Sequence, residues 1–205
     1  MTPTLSNDLG NARSVTNYLS IIVAAALVNN VALVQLLGVS SLFFPNSRLQ
    51  NALELALLNF IVLFAASVIN LLLFKFILLP LELAFLKLIV FVATSACITT
   101  LVLNRIKLKF PLSMRQQKLA FYLTGGNSAV IGVSIINSVS TLSISQSVAY
   151  SLGAAIGFSG LLIAFAALRL RLDTADVPAP FRGTAIQLVS AGIVAMLLLG
   201  FAGLV

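Results

Sequence analysis

The chain has 205 residues, of which 60% are hydrophobic and only 8% are charged, and its formal net charge is +7. A soluble domain has roughly a quarter of its residues charged, so the composition excludes a soluble core and predicts an integral membrane protein. The basic residues lie in short loops with no aromatic residues interleaved, which argues against nucleic acid as a partner and leaves the lipid bilayer as the expected surroundings.

Long uncharged blocks divide the chain into candidate membrane-spanning segments. A helix needs about 20 mainly apolar residues to cross the hydrocarbon of a bilayer, and four of the blocks hold one such helix each. The block 119–168 is too long for one crossing and contains the polar stretch 137–146, so it predicts two helices and a turn. These runs lack the alternation of barrel strands. The sequence therefore predicts an all-α integral membrane protein with six transmembrane helices, at about 17–38, 52–74, 84–104, 119–137, 146–168 and 185–204.

Lysine and arginine are unevenly distributed between the two sides of this predicted bundle. Short cytoplasmic loops are enriched in these residues. The side that holds both termini has three of them, and the opposite side has nine. The distribution predicts a multi-pass protein with both termini outside the cytoplasm, in a bacterial-type inner membrane or another energy-converting membrane. The nine are Arg48, Arg105, Lys107, Lys109, Arg115, Lys118, Arg169, Arg171 and Arg182.

Two of the predicted spans carry polar groups near their centres. Asn29 and Asn30 are adjacent in the first span and point about 100° apart on a helix, so we expect one of them to bind backbone groups freed by a break. In the fourth span, Gly125 and Gly126 precede Asn127, and each glycine costs a helix about 1 kcal/mol against alanine. Both helices are therefore predicted to be interrupted near the midplane.

Interruptions at corresponding places in two halves of a membrane protein indicate an inverted repeat around a midplane site. The first and fourth helices each open a group of three, and an odd number per half gives the halves opposite orientations. We predict one membrane domain over 1–205, with repeats at about 14–110 and 111–205. Asn59 and Asn70 are expected to hydrogen-bond between helices, and Gly153 and Gly157 to form a packing surface.

Several chemistries lack the residues that they need. The chain has no histidine, which is the commonest metal ligand and a usual haem ligand. Its single cysteine, Cys97, lies inside the third predicted span, where a small apolar filler is expected. The five carboxylates lie at or beyond span ends, so no acidic residue marks an ion pathway through a helix. The sequence predicts no catalytic residue and no metal site.

Three stretches together resemble the RnfA/NqrE-type membrane subunit of the Rnf (Rsx) electron-transport complex, a family shared with the sodium-pumping NADH:quinone reductase. They are Leu27–Gly38 (LVNNVALVQLLG), Asn127–Gly132 (NSAVIG), and Asp176–Gly183 (DVPAPFRG) with the helix that follows it. The resemblance implies six helices in inverted repeats with outside termini, and a homologous partner subunit of opposite topology. It also implies a [2Fe–2S] cluster in the middle of the membrane, to which each of the two partners contributes two cysteines.

At both places where the resemblance implies a cluster cysteine, this chain has serine, at Ser40 and Ser128. A thiolate is a soft ligand that forms near pH 8.5, whereas a serine hydroxyl is harder and far more weakly acidic. The proline and glycine implied beyond the first cysteine are also replaced, by Ser41 and the pair Phe43 and Phe44. We therefore expect no cofactor on this chain, and a [2Fe–2S] cluster shared with a partner is the alternative.

The leading hypothesis is that the chain is a divergent membrane subunit of a redox-driven, ion-translocating complex. This subunit would act as scaffold and helix-pair partner, and it would be at most a non-catalytic subunit of an oxidoreductase. Asp176 and Arg182, in the predicted cytoplasmic loop, are candidates for docking other subunits of the complex. Two alternatives stay open. In the first, a passage for a small solute or ion is lined by the midplane polar residues Asn29, Asn30 and Asn127 together with the two serines. In the second, a modified electron relay persists, with a cluster or pigment held together with a partner.

Overall fold

A computed structural model describes residues 17–42, 49–107, 124–173, 178, 180 and 182–203. Within these ranges every regular element is helical, as the composition predicts. In chain order the helices are α1 (Asn17–Val28), α2 (Val39–Leu42), α3 (Leu49–Leu73), α4 (Lys87–Lys107), α5 (Ser128–Val139), α6 (Ile144–Asp173) and α7 (Thr184–Leu199).

Tighter and wider turns mark the ends of several helices. A π-helical turn, Ala24–Val28, closes α1, and another, Phe74–Leu78, extends α3. Short 3₁₀ turns precede α4 at Ala84–Leu86 and follow α7 at Gly200–Gly203. π-helical turns occur frequently at functional sites in helices. The first of the two here, Ala24–Val28, immediately precedes the paired asparagines.

Three of these helices are long and apolar enough to cross a membrane, at Ala52–Leu78, Ala84–Arg105 and Ile144–Leu172. They match the second, third and fifth predicted spans within a few residues. Three shorter apolar helices, α1, α5 and α7, lie in the remaining predicted spans. The first predicted span is helical only as far as Val28, and α5 begins at Ser128. Residues 119–123, the start of the fourth predicted span, lie outside the described residues.

The helices α3 and α6 form the centre of the packed core. The irregular segment after α1 and the first half of α5 pack against them, and α4 packs on α3 and α5. The fully buried core side chains include Val31, Val62, Leu63, Val130, Val133, Phe158 and Leu162. In the segment 29–38, which carries the paired asparagines, residues 30–33 and Gly38 are buried in the bundle, whereas Asn29 and residues 34–36 are exposed.

Close approach of α1 to α6 takes place over two glycines. A Cβ on Gly153 would stand 2.9 Å from Ala25 Cβ, and a Cβ on Gly157 would stand 2.7 Å from Ala26 Cα. Only hydrogen atoms at both positions let the two backbones meet, which is the usual role of such glycine pairs in membrane helices. The predicted packing surface on the fifth span is confirmed, and its partner is α1.

Candidate functional site

The first helix ends where the paired asparagines begin. Asn30 is 1% exposed, its Nδ2 donates to Ala26 O (2.7 Å), and its Oδ1 accepts from Ala32 N (3.0 Å). Asn29 is exposed, and its backbone N–H closes the π turn on Ala24 O. One asparagine of the pair therefore replaces the backbone hydrogen bonds lost at the break, which is the contact that the adjacent amides predict.

The helix α5 begins with a second asparagine in the same role. Asn127 is 1% exposed, and its Oδ1 accepts from Ala129 N (3.0 Å), so it caps the helix. Its Nδ2 donates to Asn59 Oδ1 (3.0 Å), and Asn59 Nδ2 donates to Leu55 O (2.9 Å). Every polar atom of these two side chains is engaged by protein, and the predicted interhelical role of Asn59 is confirmed.

The two breaks use the same local geometry. In each, a buried asparagine accepts from the backbone N–H two residues later, Asn30 from Ala32 and Asn127 from Ala129. An asparagine side chain that bonds its own backbone in this way is a common substitute for a missing helical hydrogen bond. The segments 27–33 and 125–131, which have little residue-level similarity, therefore share a structural device.

A hydrogen bond joins the two broken segments to each other. Gly38 N donates to Ser128 Oγ (2.8 Å). Ser40 lies in the short helix α2, two residues after Gly38, and the side chains of Ser40 and Ser128 are both exposed on this chain. The structure thus brings the two predicted serine positions into one region, at the junction of the segment 29–38 with the start of α5.

Gly38 lies at the tightest point of this junction. Its φ is +74°, and a Cβ there would stand 2.5 Å from Asn127 Oδ1 and 2.6 Å from the Phe158 ring. Leu36 also has a positive φ, of 53°, in the same segment. A left-handed conformation is uncommon for leucine. Because Leu36 is 71% exposed, the backbone hydrogen bond from Leu37 N to Val31 O (3.1 Å) holds this turn rather than side-chain packing.

The predicted docking loop is described only in part. Arg182 is exposed shortly before α7, whereas Asp176 lies outside the described residues.

A buried glutamine near the start of α7 contacts the end of α6. With its amide oxygen toward α6, Gln187 accepts hydrogen bonds from Arg169 Nη2 (3.2 Å) and Nε (3.3 Å). A two-point contact of this kind suits the planar guanidinium and ties α7 to the end of α6.

The residues at the junction do not fit a conventional iron–sulfur cluster. The side chains at the two positions where the resemblance implies cluster ligands, Ser40 and Ser128, are hydroxyls, and Ser128 Oγ already accepts a hydrogen bond from Gly38 N. Clusters are held by thiolates or, on some irons, by histidine. Among the described residues, no three His, Cys, Asp or Glu side chains lie close enough to hold a metal ion, and Cys97 is exposed on α4. Within the part of the chain that the structure describes, the groups identified at the junction are neutral hydrogen-bonding groups.

Sequence reasoning singled out Asn30, Asn127 and the two serines, but it did not find Gly38, Phe158 or the polar groups deeper in α5. Those groups are Ser134 and Asn137, which are buried. Their spacing from Asn127 places all three on one face of α5. That periodicity is visible in the sequence and is the signal that would have found them.

Comparison with known proteins gives one family. The family model described as "Rnf-Nqr subunit, membrane protein" matches residues 18–205. Proteins named as the A-type component of an ion-translocating oxidoreductase complex are similar over almost the whole chain. The protein from Pseudoalteromonas translucida (strain TAC 125) is 38% identical, covering 93% of this chain and 98% of its own length. Those from Hahella chejuensis (strain KCTC 2396) and Alkalilimnicola ehrlichii (strain ATCC BAA-1101 / DSM 17681 / MLHE-1) are 38% and 39% identical, covering 93% and 90% of this chain and 98% and 96% of their own lengths.

Proposed function

The chain belongs to the Rnf-Nqr family of membrane protein subunits, and from that membership we propose that it is the A-type component of an ion-translocating oxidoreductase complex. The relatives with that name match it over almost their whole lengths, and its long apolar helices suit a multi-pass membrane protein. Within the complex it acts mainly as scaffold and helix-pair partner. The reacting groups of the complex are then held by other subunits.

The hydrogen bond from Gly38 N to Ser128 Oγ is the observation that carries the scaffold role. It engages one of the two hydroxyls in joining the broken segments, 90 residues apart in sequence. A serine hydroxyl keeps its proton at neutral pH, and a hydroxyl that both keeps its proton and accepts an amide hydrogen bond is a poor ligand for iron. At this position the chain supports its own fold instead of binding a cluster.

The architecture that we propose is one domain of two inverted repeats, at about 14–110 and 111–205, with six transmembrane helices. Three features support it. Each proposed half has one broken segment followed by a long helix, α3 in the first and α6 in the second. The broken segments share the asparagine device at Asn30 and Asn127. The long helices, which would be equivalent under the repeat, pack on each other at the centre of the core.

The distribution of Lys and Arg supports an orientation with both termini outside the cytoplasm, in a bacterial-type inner membrane or another energy-converting membrane.

The partners that we propose are a homologous membrane protein of opposite topology and the other subunits of the complex. Many large apolar side chains are exposed on this chain, among them Phe85, Ile89, Met196 and Leu197. Such faces suit contact with lipid or with neighbouring membrane helices.

A modified electron relay is the second candidate, and the exposure of Ser40 and Ser128 favours it. Exposed side chains in one region leave room for a redox group that another protein of the complex holds against this chain. A polar passage is less well supported, because the amides of Asn30 and Asn127 are buried and engaged by protein groups. Little of their hydrogen-bonding capacity is left for a passing solute.

Iron analysis of the intact complex tests the scaffold role. We expect Ser40→Ala and Ser128→Ala to leave the iron content per complex and the low-temperature EPR spectrum of the dithionite-reduced complex unchanged, because neither hydroxyl ligates iron. Ser138→Ala is the matched control, since the Ser138 hydroxyl also lies on α5 but donates to Ile135 O of its own helix. A [2Fe–2S] signal that is present in the wild type and the control, and is lost in Ser128→Ala while the subunits of the complex still co-purify in unchanged amounts, would overturn the scaffold role.

Reversal of the charge at Arg182 tests the docking loop. We expect Arg182→Glu to lower the amount of peripheral subunits that co-purify with the membrane subunits by about 10-fold, because an exposed cation becomes an anion at a proposed contact. Arg105→Glu is the control, at an exposed arginine near the end of α4 on the same predicted side. Equal losses in both variants would contradict a specific role for the loop. Quantitative mass spectrometry of the purified complex is the measurement.

A further inference from the structure

The second half of α5 packs buried polar side chains against two other helices. Asn70 Nδ2, on α3, donates to Ser134 Oγ (2.9 Å), and Asn137 Nδ2 donates to Ser151 Oγ (2.8 Å) on α6. All four side chains are no more than 1% exposed. Ser134 and Asn137 are one turn apart on α5, so the two pairs are neighbours. The predicted interhelical role of Asn70 is confirmed, but its amide is only half engaged.

Three buried oxygens near these pairs have no hydrogen-bond partner among the described residues. They are Asn70 Oδ1, Asn137 Oδ1 and Ser147 Oγ. The amide orientations follow from the neighbouring serines. Each of those hydroxyls already donates to a carbonyl four residues earlier in its own helix, so it must accept from the asparagine Nδ2. The amide oxygens are thereby left facing other groups.

The unpartnered oxygens share one region. Ser147 lies one turn before Ser151 on α6, and Ser151 is the direct partner of Asn137. Asn137 Oδ1 and Ser147 Oγ therefore both belong to residues within one helical turn of the Asn137–Ser151 hydrogen bond, and neither atom has a partner among the described residues. A buried acceptor without a donor is strongly unfavourable, and in native proteins ordered water commonly supplies the missing hydrogen bonds where several polar groups converge.

We propose that Asn70, Asn137 and Ser147 form a buried water-binding site between α3, α5 and α6. A bound water donates one hydrogen to each asparagine oxygen and accepts a hydrogen bond from the Ser147 hydroxyl, so that it bridges the three helices. The site lies along α5 beyond the junction at Ser128, about 9–14 Å away at 1.5 Å per residue. It does not depend on the proposed function, because it rests on hydrogen-bond geometry alone.

Water suits this site better than a cation does. All three oxygens belong to neutral groups, and within the described residues no carboxylate lies on the neighbouring turns of the three helices. Glu54 is 16 residues before Asn70 on α3, which is about 24 Å along the helix axis. An unpaired charge inside a membrane domain is unfavourable, whereas water needs only two to four polar partners.

Substitution of Ser147 by alanine tests the site, because the Ser147 hydroxyl has no direct partner to lose. We expect Ser147→Ala to lower the thermal midpoint of the purified complex by about 2–4 °C, since a bridging water loses one of its partners. Ser159→Ala is the matched control on α6, where the hydroxyl bonds backbone of its own helix, and we expect no shift. A midpoint that is unchanged or raised in Ser147→Ala overturns the proposal, because removal of a dry, unpaired hydroxyl is neutral or stabilising.

A density map of the wild-type complex in nanodiscs gives a direct second measurement that needs no variant. We expect a water peak about 2.6–3.2 Å from Asn137 Oδ1 and from Ser147 Oγ or Asn70 Oδ1. Well-ordered side chains with no peak between them would overturn the site. Thermal midpoints in sodium chloride and in choline chloride at equal ionic strength separate water from a cation. Equal midpoints support water, and a sodium-dependent rise that Ser147→Ala abolishes would overturn it in favour of a bound cation.

Discussion

Replacement of Gly38 by alanine is expected to destabilise the protein by about 2–5 kcal/mol. A left-handed backbone costs an L-residue about 1–2 kcal/mol, and overpacking of a buried site costs about 1–3 kcal/mol more. Both penalties act here, because φ is +74° and a Cβ would stand 2.5 Å from Asn127 Oδ1. On the other side, the Phe158 ring would be 2.6 Å away and is 1% exposed, so it has little room to move.

The measurement is an unfolding titration of the purified pair of membrane subunits in mixed detergent micelles. Gly183→Ala is the matched control, because Gly183 also has a positive φ, of 81°, but a Cβ there meets no atom within 4 Å. We expect the control to cost about 1–3 kcal/mol, from backbone strain alone. If Gly38→Ala were no worse than Gly183→Ala, the close contact of the segment 29–38 with α5 and α6 would be wrong.

Replacement of Gly157 by alanine is expected to separate α1 from α6 and to cost about 3 kcal/mol, at the upper end of usual overpacking effects. The added methyl would stand 2.7 Å from both Ala26 Cα and Asn30 Nδ2, and closer still to Ala26 O. Most of these neighbours are backbone atoms, which cannot turn aside as a flexible side chain can. The same methyl presses on the Asn30 amide, so the hydrogen bond from Asn30 Nδ2 to Ala26 O is also disturbed.

Gly160 provides the control for this prediction on the same helix. A Cβ on Gly160 meets nothing within 4 Å, so Gly160→Ala should be neutral or slightly stabilising, given that alanine is the better helix former by about 1 kcal/mol. Unfolding titrations of the two variants side by side are the measurement. Equal stabilities would show that α1 does not rest on the glycine surface of α6.

These two glycines hold the candidate site together from opposite sides. Gly157 lets the end of α1 and Asn30 reach α6, and Gly38 lets the returning segment reach Asn127 and donate to Ser128. The broken segment is therefore held at its start by the close contact at Gly157 and at its end by the close contact at Gly38, and both contacts require glycine.

Much of the helical layout could be predicted from the sequence because the bilayer imposes strict rules. Backbone groups in hydrocarbon must bond within their own segment, so each apolar run of sufficient length predicts a helix. The long helices at Ala52–Leu78, Ala84–Arg105 and Ile144–Leu172 agree with that expectation. The breaks were also visible, since adjacent amides at Asn29 and Asn30 and paired glycines before Asn127 are unfavourable inside an uninterrupted helix.

The candidate site was predictable only as a set of residues. The sequence indicated that Asn30 or Asn29 would bind freed backbone, because the bond is local, over four residues or fewer. It did not indicate which helix Asn127 would meet. The partner, Asn59, is 68 residues away, and several other asparagines of the chain, such as Asn70 and Asn137, were equally plausible on composition alone. Their own partners, Ser134 and Ser151, likewise lie on other helices.

The sequence by itself determined that this chain is a helical membrane protein with polar interruptions in its first and fourth apolar segments. Those properties depend on local quantities, namely the length of each apolar run, the position of charges and the helix preference of single residues. Only the tertiary structure decided that α3 and α6 form the centre, that α1 rests on Gly153 and Gly157, and that Gly38 meets Ser128. The reason is physical: among apolar helices the hydrophobic effect does not select neighbours in lipid, so pairing is chosen by shape and by a few hydrogen bonds between residues far apart in the chain.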